Sequence, residues 1–262
     1  MNTKTNYQTW IRMNKLLIFL GISLLLLLIT LYSVQVYFRV LAGMLALPFL
    51  YITFILSYSV YQFATFGGGF QSKIHHLIVS KVEDGSGKIL DIGTGSGSLI
   101  IKLAKAFPNS TLTGIDYWGE NWEYSKAQCE QNAEIEGVSD RIHFVKASAS
   151  HLPFQNGEFD VVVSCLTFHE VKDSKNKTEV IKEALRLVKP GGTFVFMDLF
   201  MDESTFGKKT ELVADLTKHG EIELNDDKLT DILPLPKILR NKKVLGNAMV
   251  LSGKKANKAQ SR

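Results

Sequence analysis

Two long apolar stretches open the chain, and short apolar runs alternating with amphipathic segments follow them. Leu16 to Phe38 is a run of 23 residues without a charge, and beyond Arg39 a second uncharged run extends from Val40 to Ser72. A helix needs roughly 20 apolar residues to cross the hydrocarbon core of a bilayer. The pattern predicts a membrane anchor over residues 1–65 with two transmembrane helices, at about 16–36 and 40–61. Pro48 is compatible with a membrane helix. A single span followed by an interfacial segment is the alternative. A cleaved signal peptide is disfavoured, because the apolar region is too long and no small-x-small cleavage site follows it.

Phe66-Gly67-Gly68-Gly69-Phe70 interrupts this pattern. It reads as a flexible linker. The alternative is a hinge for a lid, since Gln71 to Val82 has the pattern of a short helix; residues 66–82 are accordingly set apart as a glycine hinge and lid helix.

Residues 83–262 then carry strand and helix patterns in turn. Strands are predicted at Lys88–Ile92, Thr111–Ile115, Ile142–Lys146, Phe159–Ser164 and Thr193–Leu199, and helices at Ser98–Phe107, Asn121–Gly137 and Lys175–Val188. Leu187-Val188-Lys189-Pro190-Gly191-Gly192 is expected to stop the last helix. Pro234-Leu235-Pro236 reads as a loop before a final strand pair ending at Leu251. This order predicts an α/β fold with a doubly wound, mostly parallel sheet of Rossmann-like type. Ligands of such sheets lie at the carboxyl ends of the strands. Asp91, Asp116, Ser148 and Ser164 all end predicted strands and should converge there.

Charge sharpens the division of the chain. Residues 1–65 contain Lys4, Arg12, Lys15 and Arg39 and no acid, whereas the remainder balances 26 basic with 26 acidic residues. That balance argues against a nucleic-acid enzyme led by phosphate contacts. The positive-inside rule puts the N-terminus, and after two crossings the domain, on the cytoplasmic face, giving a multi-pass membrane protein. Eight basic residues and no acid lie in 237–262, which suits an anionic leaflet. Cys129 and Cys165 read as separate core thiols, not a disulfide framework. The histidines form no HExxH-type spacing, and no metal site is expected.

The densest chemistry lies in Asp91-Ile92-Gly93-Thr94-Gly95-Ser96-Gly97, between a strand and a helix start. Glycines at alternate positions let backbone N–H groups approach a small ligand. Asp91 can take hydrogen bonds from a positively charged ligand group. Asp116, 19 residues beyond Gly97, can accept both hydroxyls of a ribose. A strand-end acid serves nicotinamide cofactors equally well, but their fingerprint G-x-G-x-x-G requires glycine where Ser98 stands.

The pattern acid-x-G-x-G-x-G instead resembles the class I S-adenosylmethionine-dependent methyltransferases. Ile89–Gly97, Gly114-Ile115-Asp116, the adenine-flanking segment Lys146–Phe154, strand Phe159–Ser164 and Lys189–Gly192 match that family's motifs in order, nearest to its ubiquinone/menaquinone-biosynthesis branch. The resemblance implies S-adenosyl-L-methionine as cofactor. It also implies that Gly93, Thr94, Gly95 and Gly97 line the methionine portion with Asp91 near its ammonium. Asp116 would hold the ribose, Tyr117 would pack on the adenine, and Ser148 and Ala149 would sit at the adenine edge. Ser164, at the end of its strand, joins the same set. Many members carry Asp where this chain has Ser148.

His169, in Leu166-Thr167-Phe168-His169-Glu170 after the fourth strand, is the candidate general base, with Glu170 as its partner; the alternative is a histidine bonded to loop backbone. Trp118 and Trp122, four apart and so one helical turn, are expected to share core packing; the alternative is that they, with Tyr117, face substrate or cofactor. His75 and His76 read as surface or structural. The function expected is methyl transfer to a small, apolar or lipid-like acceptor at a membrane. The competing class is a non-catalytic S-adenosylmethionine-binding membrane protein, a sensor or scaffold.

Overall fold

The computed structural model describes residues 4–119, 124–242 and 244–257. The chain forms two compact units, Gln8–Ser72 and a larger one that unites the residues up to Tyr7 with Lys73 onward. The chain therefore leaves the larger unit after Tyr7 and re-enters it at Lys73.

The smaller unit is a pair of helices, α1 (Met13–Tyr32) and α2 (Val36–Phe63), both long and apolar enough to cross a membrane. The break falls at residues 33–35, earlier than Arg39, which lies in the first turn of α2. The reason is local: the Arg39 guanidinium donates to the Ser33 carbonyl at 2.5 Å, a cation at the exposed end of α1. Small residues line the seam. Ala42, Ala46 and Ser23 are buried, and the Ser23 and Thr53 hydroxyls meet at 3.2 Å. Leu17, Leu24, Leu25, Leu28, Leu31, Leu41, Leu47 and Phe54 remain exposed around it.

The glycine run after α2 is a helix cap and not a flexible linker. Gly67 and Gly69 donate to the Ala64 carbonyl and Gly68 to that of Tyr61, which satisfies the last turn of α2. The helix that follows, α3 (Phe70–Ser80), buries Ile74, Ile78 and His75, so from Lys73 onward it is a packed element.

The larger unit is a seven-stranded mixed sheet, counted among the described residues. Its strands are β1 (Gly87–Ile92), β2 (Ser110–Asp116), β3 (Ile142–Lys146), β4 (Phe159–Cys165), β5 (Val188–Asp198), β6 (Ile222–Lys228) and β7 (Met249–Lys255), in spatial order β3-β2-β1-β4-β5-β7-β6. The first five are parallel and β7 runs antiparallel to both neighbours. The central strands are covered on both faces, so Ile89–Leu90 and Val161–Val163 form continuous apolar runs. Helices α4 (Ser98–Ala106), α5 (Lys126–Ile135) and α6 (Lys177–Arg186) provide crossovers. In α6 the buried Val180, Ile181, Ala184 and Leu185 repeat at helical spacing.

Three sequence expectations change here. Lys189–Gly192 does not terminate α6, which ends at Arg186; these four residues stand opposite Asp160 alone as a bulge inside β5. Lys189 Nζ bonds the Asp160 carboxylate at 2.7 Å across it. Helix α5 starts only at Lys126, because Ser125 caps it by accepting from Gln128 N; the residues before Tyr124 in the predicted helix lie outside the described residues. Pro234–Pro236 lies between β6 and β7, and β7 extends to Lys255.

Candidate functional site

The site forms where the carboxyl ends of β1, β2 and β4 meet. The loop Gly93–Gly97 leaves β1 there, with Gly93, Gly95 and Gly97 all at positive φ. At Gly93 a side chain is excluded twice: φ is +77°, and a Cβ would overlap the Thr167 hydroxyl and methyl. Thr167, from the loop after β4, reaches past it to bond the Ile92 carbonyl at 3.1 Å.

Four amides of the loop donate within the protein. Gly93 and Thr94 both donate to the Ile115 carbonyl, Gly97 donates to Thr94, and Gly95 donates to Asp116 Oδ2. These four N–H groups are spent on the protein. The glycines act by backbone conformation and close approach. Unsatisfied polar atoms are found on side chains instead. Both carboxylate oxygens of Asp91 and the Thr94 hydroxyl are buried with no hydrogen-bond partner. Burial pushes the Asp91 carboxyl up to about 7; the Thr94 hydroxyl and the Ile100 N–H oppose this without a hydrogen bond of good geometry, and the Asp116 charge adds to it. A buried carboxylate without donors is costly unless a cation or donor meets it.

Asp116 ends β2 and is half-buried. Besides Gly95, it accepts from Trp118 N at 2.8 Å, and burial raises its carboxyl pKa, with those amides opposing. Trp118 is not on a helix: its φ is +40°, and its indole donates to the Gly95 carbonyl at 3.0 Å. The expected shared packing with Trp122 falls on a residue outside the described ones. Tyr117 is 65% exposed, with Lys146 Nζ over its ring.

Helix α5 holds the loop from the other side. Cys129 Sγ bonds the Gly95 carbonyl, and the buried Asn132 amide donates to the Ser96 carbonyl at 2.9 Å. Asn132 also accepts from Asn6 N at 2.9 Å and donates to Asn6 O at 3.1 Å; Gln128 Nε2 reaches the same oxygen at 2.6 Å. Tyr7 OH donates to Glu136 at 3.2 Å. A segment near the start of the chain is thus strapped to the helix that braces the glycine loop. Ser98, where a dinucleotide loop needs glycine, is buried with its hydroxyl 3.2 Å from His75 Nδ1. Burial, then the charges of Lys102 and His76, lower the His75 pKa to about 3, so this histidine is neutral and structural.

The remaining sequence candidates divide. Ser148 lies beyond β3, its hydroxyl 2.9 Å from that of Ser150, which donates to Asp173 at 2.7 Å. Ala149 is buried beside it. Ser164 is fully buried and donates to the Ile92 carbonyl, so its hydroxyl ties β4 to β1. His169 sits on a single 3-10 turn, Phe168–Glu170, and its short partner is not Glu170 but Asp198. His169 Nδ1 lies 2.5 Å from Asp198 Oδ1, and Nε2 lies 3.8 Å from Glu170 Oε1. Asp198 ends an apolar strand, as Asp91 nearly does and Asp116 does; that shared position was the signal that could have found it. The β6–β7 loop returns to this edge, where Met249 pairs with Asp198 and Asn247 O accepts from Met201 N.

The family profile described as "Methyltransferase domain" matches residues 90–196. The ubiquinone/menaquinone biosynthesis C-methyltransferase of Geotalea daltonii is 32% identical over 114 residues, 43% of this chain and 46% of that protein. An arsenite methyltransferase of Aquipseudomonas alcaligenes is 34% identical over 150 residues, 55% of this chain and 41% of that protein. The chain spans less than half the length of these curated relatives. Among solved structures, geranyl diphosphate C-methyltransferase of Streptomyces coelicolor superposes with a TM-score of 0.53 at 12% identity, covering 71% of this chain and 81% of that one. The [4+2]-cyclase SpnF shares the fold at a TM-score of 0.51 and 18% identity, covering 71% of this chain and 81% of that chain.

Proposed function

We propose that this chain, whose residues 90–196 are a class I S-adenosylmethionine-dependent methyltransferase domain, transfers a methyl group to a small apolar or membrane-associated acceptor while anchored by its two apolar helices. The observation that carries the reading is the set of orphaned oxygens on Asp91 and Thr94 beside the glycine loop. They fit a cationic, donor-rich group such as the ammonium of the cofactor's methionine portion. Gly93, Thr94, Gly95 and Gly97 would line that portion. Asp116 keeps acceptor capacity for ribose hydroxyls, Tyr117 offers an exposed ring for the adenine, and Ser148 and Ala149 stand at its edge.

When bound, S-adenosylmethionine supplies an electrophilic methyl group, its sulfur keeping the C–S electron pair. The protein's contribution is alignment, worth roughly 7–11 kcal/mol of barrier where geometry is well set, and removal of a proton where the acceptor carries one. His169, on the turn after β4, would take it.

Anchoring is supported by the exposed apolar surface of α1 and α2, which is out of proportion for a protein in water. The strap at Asn6 supports an even number of crossings, since chain on either side of the pair belongs to one folded unit. With Lys4, Arg12 and Lys15 at the N-terminus, the positive-inside rule favours a cytoplasmic domain. Tethering raises the concentration of enzyme near membrane-borne acceptors.

Calorimetry of the full chain in nanodiscs with S-adenosylmethionine and with NAD tests the cofactor, with binding expected for the first alone. Membranes incubated with methyl-labelled cofactor should then yield label in the lipid extract. Label in no lipid, protein or soluble fraction would leave the binder reading, a sensor without transfer.

A further inference from the structure

We infer that Asp198 is a positioning residue that fixes His169 in the Nδ1–H form, so that Nε2 takes a proton from an acceptor whose attacking atom enters neutral and protonated. The inference rests on the methyltransferase reading and names the kind of acceptor that reading leaves open.

Asp198 is fully buried at the end of β5, and its carboxylate is surrounded by donors. Oδ2 accepts from Phe168 N at 2.7 Å and His169 N at 3.4 Å; Oδ1 accepts from Leu199 N at 2.7 Å. A carboxylate so engaged is an acceptor only, so the 2.5 Å contact with His169 Nδ1 requires the hydrogen on that nitrogen. The lone pair is then on Nε2. The same backbone donors fix the turn that carries His169, so one carboxylate sets both the place and the tautomer of the ring.

The surrounding charges agree with a base that accepts and holds a proton. Glu170 faces Nε2, Asp202 lies near the ring, and Lys177, whose Nζ donates to the Val171 and Ser174 carbonyls, opposes them. Burial disfavours the imidazolium, but the Asp198 charge and hydrogen bond, with Glu170, outweigh it and raise the His169 pKa.

A nucleophile that attacks through a free lone pair needs no such pair of residues. An acceptor X–H does: the X–H bond breaks, its proton goes to Nε2, its electron pair forms the bond from X to the methyl carbon, and the C–S pair stays on sulfur. The ledger closes without any further reactant.

The test uses the full chain in nanodiscs, 15N-labelled at histidine, with His169→Gln to assign the signal. In the wild type, Nδ1 should carry the proton and the ring should titrate above the ordinary value of about 6.5. Asp198→Asn should mix the tautomers and lower that titration by one unit or more. A wild-type His169 protonated on Nε2 overturns the inference, and this holds even if Asp198→Asn does not fold. So does an Asp198→Asn protein that folds with His169 titrating unchanged. Calorimetry separates the two layers. Loss of S-adenosylmethionine binding in the wild type defeats the methyltransferase reading, whereas intact binding with unaltered His169 titration defeats only the role of Asp198.

Discussion

Asn132 holds Ser96: the buried amide on α5 donates 2.9 Å to the glycine-loop carbonyl while its other contacts grip the backbone of Asn6. One side chain therefore joins the start of the chain to the loop proposed to hold the cofactor.

Replacing Asn132 by alanine strands a buried carbonyl at Ser96 and frees the strap. With each net hydrogen bond worth about 1 kcal/mol and an unpaired buried group costing about 1–3, a loss of roughly 2–4 kcal/mol is expected. Denaturant unfolding of the micelle-solubilised protein measures it. Calorimetry should show weaker S-adenosylmethionine binding, because Ser96 is no longer held.

Gly93→Ala should damage cofactor binding more than Gly97→Ala. Both positions have positive φ, costing roughly 1–2 kcal/mol for an L side chain. Only at Gly93 does the methyl also displace Thr167; at Gly97 the nearest atoms lie 3.5 Å away. A tenfold or larger loss for Gly93→Ala against a smaller one for Gly97→Ala is the outcome to look for by calorimetry.

Asp91 predicts a pH dependence with a defined sign. Its pKa rises from 3.8 unfolded to about 7 folded, so between those values the native state binds more protons than the unfolded state. Its contribution to stability is fully present below about pH 4 and is lost as pH rises through 7, at up to about 1.4 kcal/mol per pH unit. Asp91→Asn should remove this slope in cofactor-free protein. A cation at Asp91 reverses the preference, so binding of S-adenosylmethionine at pH 6 should release a proton. Calorimetry in buffers of different ionisation enthalpy detects it; a release equal in wild type and Asp91→Asn would assign the proton elsewhere.

In the helix pair, Ala46→Leu should weaken α1–α2 association more than Ser23→Ala. Ala46 is 1% exposed at the seam, where added volume separates the backbones, whereas the Ser23–Thr53 contact is a single interhelical bond of about 0.6 kcal/mol. Unfolding of the pair in bilayers or micelles ranks the two.

His169→Ala is expected to lower turnover by about 10²-fold or more with cofactor binding intact. A single-turnover assay on the labelled lipid acceptor reads this separately from binding.

Much of the fold was legible because it depends on local pattern. The strands Ile142–Lys146 and Phe159–Cys165 follow their local pattern almost to the residue, since short apolar runs between turn residues fit a buried strand. Where local pattern misleads, a distant partner decides. Lys189–Gly192 looks like a helix stop until Asp160 is opposite it. The glycine run after α2 looks flexible until its amides are seen to meet Ala64 and Tyr61. Trp118 looks helical until Gly95 takes its indole.

By itself, the sequence determined the two apolar segments, the alternation that makes the parallel sheet, and the spacing of Asp91, the three glycines and Asp116. Those are properties of neighbouring residues, and periodicity and turn chemistry express them directly. Only the tertiary structure decided who satisfies whom: that the Gly93, Thr94 and Gly95 amides go to Ile115 and Asp116, that Asp91 is left without a hydrogen bond of good geometry, that Asn132 takes hold of Asn6, and that Asp198 rather than Glu170 faces His169 Nδ1. Hydrogen-bond partners follow from the order of strands and the distances between elements, and a linear pattern of apolar and polar residues carries neither.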